Sequence, residues 1–258
     1  MRDLLERLNS VGFERTRRAL AGLSLSLFLA LYLLVSLNAP EGWGPAFLAL
    51  AGCYLVGFMA VVAEWFWGRW FAAGLGWSGL MVAVASLAMV GWTPPLAIYG
   101  GLHGLIVLCL TGKRMAGRYD LQAAWRQRYG MDEYAVARLR KTVTRAAASL
   151  PSLILYALGP KEPGQGMAVM AVGIGALLLA AASLRGLVLL RTWGVLAAGA
   201  AAIALGTLAA SVPVSTLVLP LTWLTPVGFA LGSVLPATLL GLAVLPFLGP
   251  ALRFLRAR

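Results

Sequence analysis

The sequence predicts an all-α protein: a polytopic transmembrane helix bundle of about eight spans, both termini cytoplasmic, with amphipathic helices lying along the inner interface. Three observations predict it. Of 258 residues, 60% are hydrophobic and 12% charged, with a mean hydropathy of +0.85, whereas a soluble domain carries roughly 25% charged residues. Apolar runs close to the ~20 residues that cross a hydrocarbon layer recur along the chain. Basic residues collect at alternate ends of those runs. Together these exclude a water-soluble enzyme, a disordered chain and a disulfide scaffold.

The first 18 residues read as an interfacial helix, with Leu4, Leu8 and Val11 on one face and Arg2, Arg7 and Arg15 among its polar positions. The apolar run that follows is too long for a signal-peptide core and has no small-residue cleavage site after it. Ala19 to Leu37 is therefore expected to remain as the first span. Trp43 to Ala63 is the second, and the turn from Glu64 to Trp70 leads to a third from Phe71 to Trp92. Pro94-Pro95 then breaks the chain before a fourth from Leu96 to Gly112. Residues 19–112 thus form a four-helix half.

Residues 113–145 form a basic cytoplasmic helical segment with nine basic and three acidic side chains. Gly130 divides it. Tyr119 to Tyr129 suits one helix, and Asp132 caps a second whose first turn also holds Glu133, complementing the helix dipole. That second helix carries Val136, Leu139 and Val143 as an apolar stripe beside Arg138, Arg140, Lys141 and Arg145. Such a helix suits the inner membrane surface, or the coupling surface for a soluble partner. Arg126, Arg128, Arg138, Arg140, Lys141 and Arg145 are its expected contacts with anionic lipids or that partner.

Residues 146–258 complete a second transmembrane half. A weaker fifth span, Thr142 to Gly159, is interrupted by Pro151. Met167 to Leu184, Trp193 to Ala210 and Val227 to Leu248 follow as the sixth to eighth. Gly194, Ala198, Ala202, Gly206 and Ala210 place a small residue at every fourth position of the seventh, a helix-packing face for a protein partner or a second copy. Prolines then accumulate, and residues 211–226 read as a re-entrant hairpin or an outer cap. Broken backbone at membrane depth is tolerated only beside protein or a water-filled cavity. This segment is accordingly a candidate substrate path.

With the amino terminus inside, 20 of the 21 basic residues fall on inner segments and only Lys161 falls outside. That asymmetry sets both termini in the cytoplasm, in what reads as a bacterial cytoplasmic (inner) membrane. Topology and attraction to anionic headgroups account for the +12 charge, and nucleic acid is not needed. Aromatic residues at the turn from Trp65 to Phe71, with Trp43 and Trp92 at outer ends, read as interfacial anchors. Of the 25 aromatics, 20 precede Pro160, so no close repeat relates the two halves. Cys53 and Cys109 lie in apolar runs and read as free buried thiols.

Most candidate chemistry fails on inspection. Gly76-Trp77-Ser78-Gly79 matches the G-x-S-G pattern of rhomboid intramembrane proteases, with His103 on the next helix. Counted from the proline turn, however, Ser78 and His103 sit roughly 24 and 12 Å deep, and the further crossing that rhomboids place between the two is missing. Ser86 is better matched in depth to His103. An intramembrane histidine demands a partner, expected here to be Ser86, Tyr99 or a backbone carbonyl. Glu64 is the one acid adjoining a span, with Arg69 its expected counter-ion. His103, Ser86, Tyr99 and Glu64 therefore make the candidate intramembrane polar site. No metal or haem ligand set, paired catalytic carboxylates or phosphate-binding glycine loop occurs, so no cofactor is expected and nucleotide energy would come from another chain. Three functions follow in order: a permease or membrane subunit of a transport complex, a non-catalytic structural or assembly subunit, and a membrane-embedded enzyme centred on His103.

Overall fold

The computed structural model describes residues 13–120, 122–160, 166–211 and 232–256. Among them are ten helices and no strand: α1 (Phe13–Asn38), α2 (Gly44–Val62), α3 (Gly68–Val90), α4 (Pro94–Leu110), α5 (Lys113–Tyr119), α6 (Ala123–Tyr129), α7 (Glu133–Leu158), α8 (Gly166–Val188), α9 (Thr192–Ser211) and α10 (Val234–Arg256). Five of these, α1, α2, α3, α8 and α9, are long and apolar enough to cross a membrane. A sixth arises if α4 and α5, bent by 72° to each other, count as one span. Leu23, Leu27, Leu31 and Leu34 of α1, Leu178 of α8 and Leu196 and Ile203 of α9 are exposed. Apolar faces this extensive fit lipid, since soluble monomers rarely expose them. The chain thus has the helices of a multi-pass membrane protein.

Among the described residues, five or six of the about eight expected spans are found by length and composition. Thr142 to Gly159 is not a separate element: it is the second part of α7, which begins at Glu133 and carries four cations before Pro151. Of the expected eighth span, Val227 to Leu248, residues 227–231 lie outside the described residues, and the apolar stretch described is Val234–Leu248 of α10. One helix therefore runs across the expected boundary between residues 145 and 146. Asp132 caps it as expected, its Oδ1 accepting from the Ala135 N–H at 2.6 Å.

This long helix is the hub of the bundle. It packs against α2 and α3 of the amino-terminal part and against α8 and α10 of the carboxy-terminal part. Gly74 brings α3 onto it: a Cβ there would stand 2.5 Å from the Thr144 carbonyl oxygen. Val136, Leu139 and Val143, the stripe expected on the membrane surface, are buried. An apolar stripe gains from any apolar partner, and neighbouring helices supply one here.

The expected helix from Tyr119 to Tyr129 is two, because Tyr119 and Asp120 turn inward and are buried between α5 and α6. Three expected aromatic anchors are also core residues: Trp43 is 3% exposed, Trp70 1% and Phe71 6%, while Trp92 is 75% exposed.

In α10 the prolines do not end the helix, which runs through Pro236, Pro246 and Pro250. Pro246 cannot donate to the carbonyl of Leu242 four residues earlier. Arg145 of α7 replaces that donor, its Nη1 lying 2.7 Å from the Leu242 oxygen, and Thr142 Oγ1 donates to Ala243 at 3.1 Å.

The small-residue stripe of α9 is only partly a seam. Gly194 and Ala198 are buried and Ala202 half-buried, whereas Gly206 and Ala210 are exposed. The buried line runs instead through Gly194, Ala198, Ala201, Leu205 and Leu208. Four residues turn a helix by about 400°, so a strict four-residue pattern drifts roughly 40° per step and leaves the seam.

Further expectations fall on undescribed residues, Lys161 as the outer cation among them. Of the amino-terminal interfacial helix, 1–12 lie outside the described residues and 13–18 belong to α1. Of the proline-broken segment 211–226, only Ser211 is described, at the end of α9.

Candidate functional site

Where α3 begins and α4 ends the chain buries an ion pair. Arg69, in the first turn of α3, donates through Nε to Asp120 Oδ1 at 2.9 Å and through Nη2 to Asp120 Oδ2. Its Nη1 donates to the Leu110 carbonyl at 2.9 Å, satisfying an orphan acceptor at the end of α4. Trp70 Nε1 also donates to Asp120 Oδ1, at 2.8 Å, and Arg140 Nη1 of α7 lies 3.6 Å from Oδ2. The Asp120 carboxylate is 2% exposed, so its charge is tolerable only because these donors surround it.

Glu64 was expected to pair with Arg69. It pairs instead with Arg18 of α1 and Arg118 of α5, the latter at 2.7 Å. The physical reason is the turn after α2: Glu64 takes a left-handed φ of 55°, while Arg69 is engaged by the buried acid. Tyr119 and Gln122 hold the same corner, donating to the carbonyls of Val61 at 2.8 Å and Glu64 at 3.0 Å. Burial raises the pKa of Tyr119 above its ordinary value, against the lowering by Arg18, Arg118 and Arg69.

Beside the ion pair a cavity of about 600 Å³ opens among α3, the α4–α5 bend, α7 and Leu239 of α10. The described residues that line it include five cations, Arg69, Lys113, Arg140, Lys141 and Arg145, and no acid. Farther along α3 and α7 the wall becomes apolar: Ala73, Trp77, Met81 and Ala148, with Leu239. From Arg69 to Met81 the helix rises roughly 18 Å, about half of a hydrocarbon layer of ~30 Å.

The intramembrane histidine forms a second, solid site. His103 of α4 is fully buried. Its Nδ1 lies 2.9 Å from the Tyr99 carbonyl oxygen, which only accepts, so Nδ1 carries the proton there. In a neutral ring Nε2 then accepts from the Tyr54 hydroxyl of α2 at 2.7 Å. The Phe28 ring packs on the imidazole at 3.9 Å between centroids, and Tyr99 on it at 4.3 Å. Tyr32 reaches the Tyr99 hydroxyl at 3.4 Å. Of the partners expected for His103, the structure supplies the backbone carbonyl. Ser86 donates instead to Val82 in its own helix, at 2.7 Å.

The depth argument over Ser78 also needs correction. The His103 ring lies against Gly79, whose missing side chain makes its space. Because α3 ends at Val90 and the residues up to Thr93 are not helical, Ser78 and His103 lie only about 18 and 14 Å from the turn. Even so, Ser78 Oγ is buried with no hydrogen-bond partner, while both imidazole nitrogens are engaged elsewhere. The described residues contain no serine–histidine pair at this point.

Among the expected lipid or partner contacts, Arg140, Lys141 and Arg145 come together on the cavity wall. Arg126 is directed to the Met131 carbonyl at 3.3 Å, Arg128 lies over Tyr129, and Arg138 stacks over Tyr134 at 4.1 Å while donating to its hydroxyl. Sequence reasoning missed Asp120, Tyr54 and Lys113. Asp120 carried a usable signal, being a single acid among Lys113, Arg114, Arg118 and Tyr119. Tyr54 carried none, because its partner lies 49 positions away.

No protein family, curated protein or solved structure matches this chain.

Proposed function

We propose that this chain is a membrane permease, or the membrane subunit of a transport complex, whose path opens on the inner side among α3, α4–α5, α7 and α10. The supporting observation is the cation-lined cavity, whose wall runs roughly 18 Å along α3 from Arg69 to Met81. In this reading both termini lie in the cytoplasm. The helices α7 and α10 cross under the cover of their neighbours, completing an even number of crossings. The solidly packed, hydrogen-bonded surroundings of His103 give catalysis no room for a substrate, and the histidine acts as an interhelical tie.

An assembly role has one observation of its own. A second groove of about 470 Å³ on the α3–α4 face is lined by Ala83, Ala97, Gly100, Gly101 and Gly104 among leucines. That lining would admit a helix of a partner or of a second copy.

Access from the two sides separates these readings. In a chain with Cys53 and Cys109 replaced by Ala, Thr144→Cys on the cavity wall is expected to react quickly with a membrane-impermeant thiol reagent from the cytoplasmic side. A slower reaction from the opposite side is expected as the path alternates. Labelling from the cytoplasmic side alone leaves a static pocket and overturns transport. Labelling from neither side overturns the open cavity as well.

A further inference from the structure

We propose that the cavity beside Arg69 is a binding site for an anionic phospholipid, with the phosphate at its cationic mouth and an acyl chain along its apolar wall. This rests on reading the cavity as the substrate path and names the class of molecule that path takes.

Three features converge. The first is an unbalanced charge. Asp120 neutralises Arg69 and engages one nitrogen of Arg140, while Arg145 spends one nitrogen on the Leu242 carbonyl. Lys113 and Lys141 have no ion-pair or hydrogen-bond partner among the described residues, and no acid lines the cavity. A cavity with this excess of cations favours an anion.

The second is the number of donors. Two ammonium groups with three N–H each, together with the uncommitted nitrogens of Arg140 and Arg145, can engage both non-bridging oxygens of a phosphodiester and the ester and headgroup oxygens beside it. They suit a phosphate.

The third is the sharp polarity gradient. Arg69, Lys113, Arg140 and Lys141 lie at the mouth, Arg145 stands level with Ala73 because Gly74 packs on Thr144, and the wall beyond is Trp77, Met81, Ala148 and Leu239. A free hydrophilic anion gains nothing from that deeper wall, whereas a lipid tail buries apolar surface against it. The gradient also matches the membrane itself, so a lipid of the inner leaflet enters without inverting its orientation. Trp77 is 45% exposed and Met81 half-buried, so the wall is reachable from the lipid side.

The test uses the full-length protein in neutral detergent and three probes: a pyrene-labelled phosphatidylglycerol, a phosphatidylcholine with the same chains, and inorganic phosphate. The wild type is expected to prefer phosphatidylglycerol about tenfold. Lys113→Gln with Lys141→Gln is expected to abolish that preference. Both side chains are exposed, and the charge-keeping pair Lys113→Arg with Lys141→Arg is expected to retain it, which separates loss of charge from loss of fold. Arg128→Gln with Arg138→Gln removes the same charge away from the cavity and is expected to leave the preference intact.

Equal loss in this last variant would reduce the effect to general surface charge and overturn the site. Full displacement of the lipid by inorganic phosphate, measured against chloride of equal ionic strength, would overturn the role of the tail. Equal binding of phosphatidylcholine, which carries the same phosphodiester but no net charge, would overturn the selectivity for an anionic lipid. Phosphatidylglycerol preference without two-sided labelling of Thr144→Cys keeps the lipid site and refutes transport. Two-sided labelling without the preference keeps transport and refutes the phospholipid.

Discussion

Across the first four helices, side chains reach from one element to the next. Tyr54 of α2 meets His103 of α4, Arg17 of α1 donates to the Leu108 and Thr111 carbonyls at 2.5 Å, and Arg69 of α3 holds Asp120 beyond the α4–α5 bend. The seam of α8 and α9 is built from small residues and leucines: Ala176, Ala180 and Leu184 are buried on one helix, Ala198, Ala201 and Leu205 on the other. At its tight end the two backbones touch, since a Cβ on Gly186 would stand 2.6 Å from the Gly194 Cα. Lipid tails are as apolar as leucine, so neither region is driven together by water alone. The first gains specificity from polar groups that are costly unless matched, and the second depends on close approach and dispersion. The cavity lies on the side of the first construction, among α3, the α4–α5 bend and α7, with Leu239 of α10 closing it.

The largest effect that would sharpen this contrast is expected at the buried ion pair. Asp120→Ala leaves the Arg69 guanidinium, itself 5% exposed, without its anion. Removing one partner of such a pair costs about 3–5 kcal/mol. Thermal unfolding in detergent is expected to show the loss, and Arg69→Met with Asp120→Ala is expected to recover a large part of it. If the single variant unfolds like the wild type, the amino-terminal region is not tied by its charges.

The counterpart in the other region is steric. Gly186→Val drives side-chain atoms into the backbone of Gly194, and overpacking of this kind costs about 1–3 kcal/mol. The expected readout is a lower unfolding temperature, with helix content retained in the amino-terminal part by limited proteolysis. A neutral result would show that the α8–α9 hairpin is not closely packed.

A smaller effect is expected at the histidine. Tyr54→Phe removes the donor to His103 Nε2 and leaves that nitrogen buried without a partner. Interhelical hydrogen bonds in membrane proteins average about 0.6 kcal/mol and reach about 1.7. His103→Phe combined with Tyr54→Phe is expected to destabilise less than the two single variants added together, the non-additivity of a shared contact. Strict additivity would remove the tie.

Much of the architecture was legible in the sequence because span length, proline breaks and the Asp132 cap are local signals. The second to fourth helices begin and end within three residues of their expected positions, whereas α1 begins six residues before Ala19. What stayed hidden depends on partners far along the chain. Hydropathy alone divides α7 after Arg145, because the sequence does not reveal that four other helices surround it. Arg69 was assigned to Glu64, five residues away, and only the fold brings Asp120 to it across 51 positions. Three of the five cavity cations stood among the expected contacts, since they lie on one amphipathic helix. The cavity itself required the α4–α5 bend, which no residue pattern announces. The prolines of α10 marked a real disturbance, but its remedy, Arg145 on the Leu242 carbonyl, lies on another helix.

The smallest expected effect bears on the stripe of α9, where a sequence pattern and a packing surface come apart. Gly194 and Gly206 occupy equivalent positions in the four-residue repeat. A Cβ on Gly194 would stand 2.6 Å from the Leu187 nitrogen, whereas one on Gly206 meets nothing within 4 Å. Gly206→Ala therefore adds only helix propensity and lower unfolded-state entropy, for a gain of about 0.4–1 kcal/mol. Gly194→Ala must separate two backbones and is expected to lower stability. Opposite signs in paired unfolding measurements would establish that helical drift, not the repeat, decides which small residues form the seam. A loss at Gly206 equal to that at Gly194 would mean that the whole stripe is covered, and the exposed part of α9 would then be a contact for another chain.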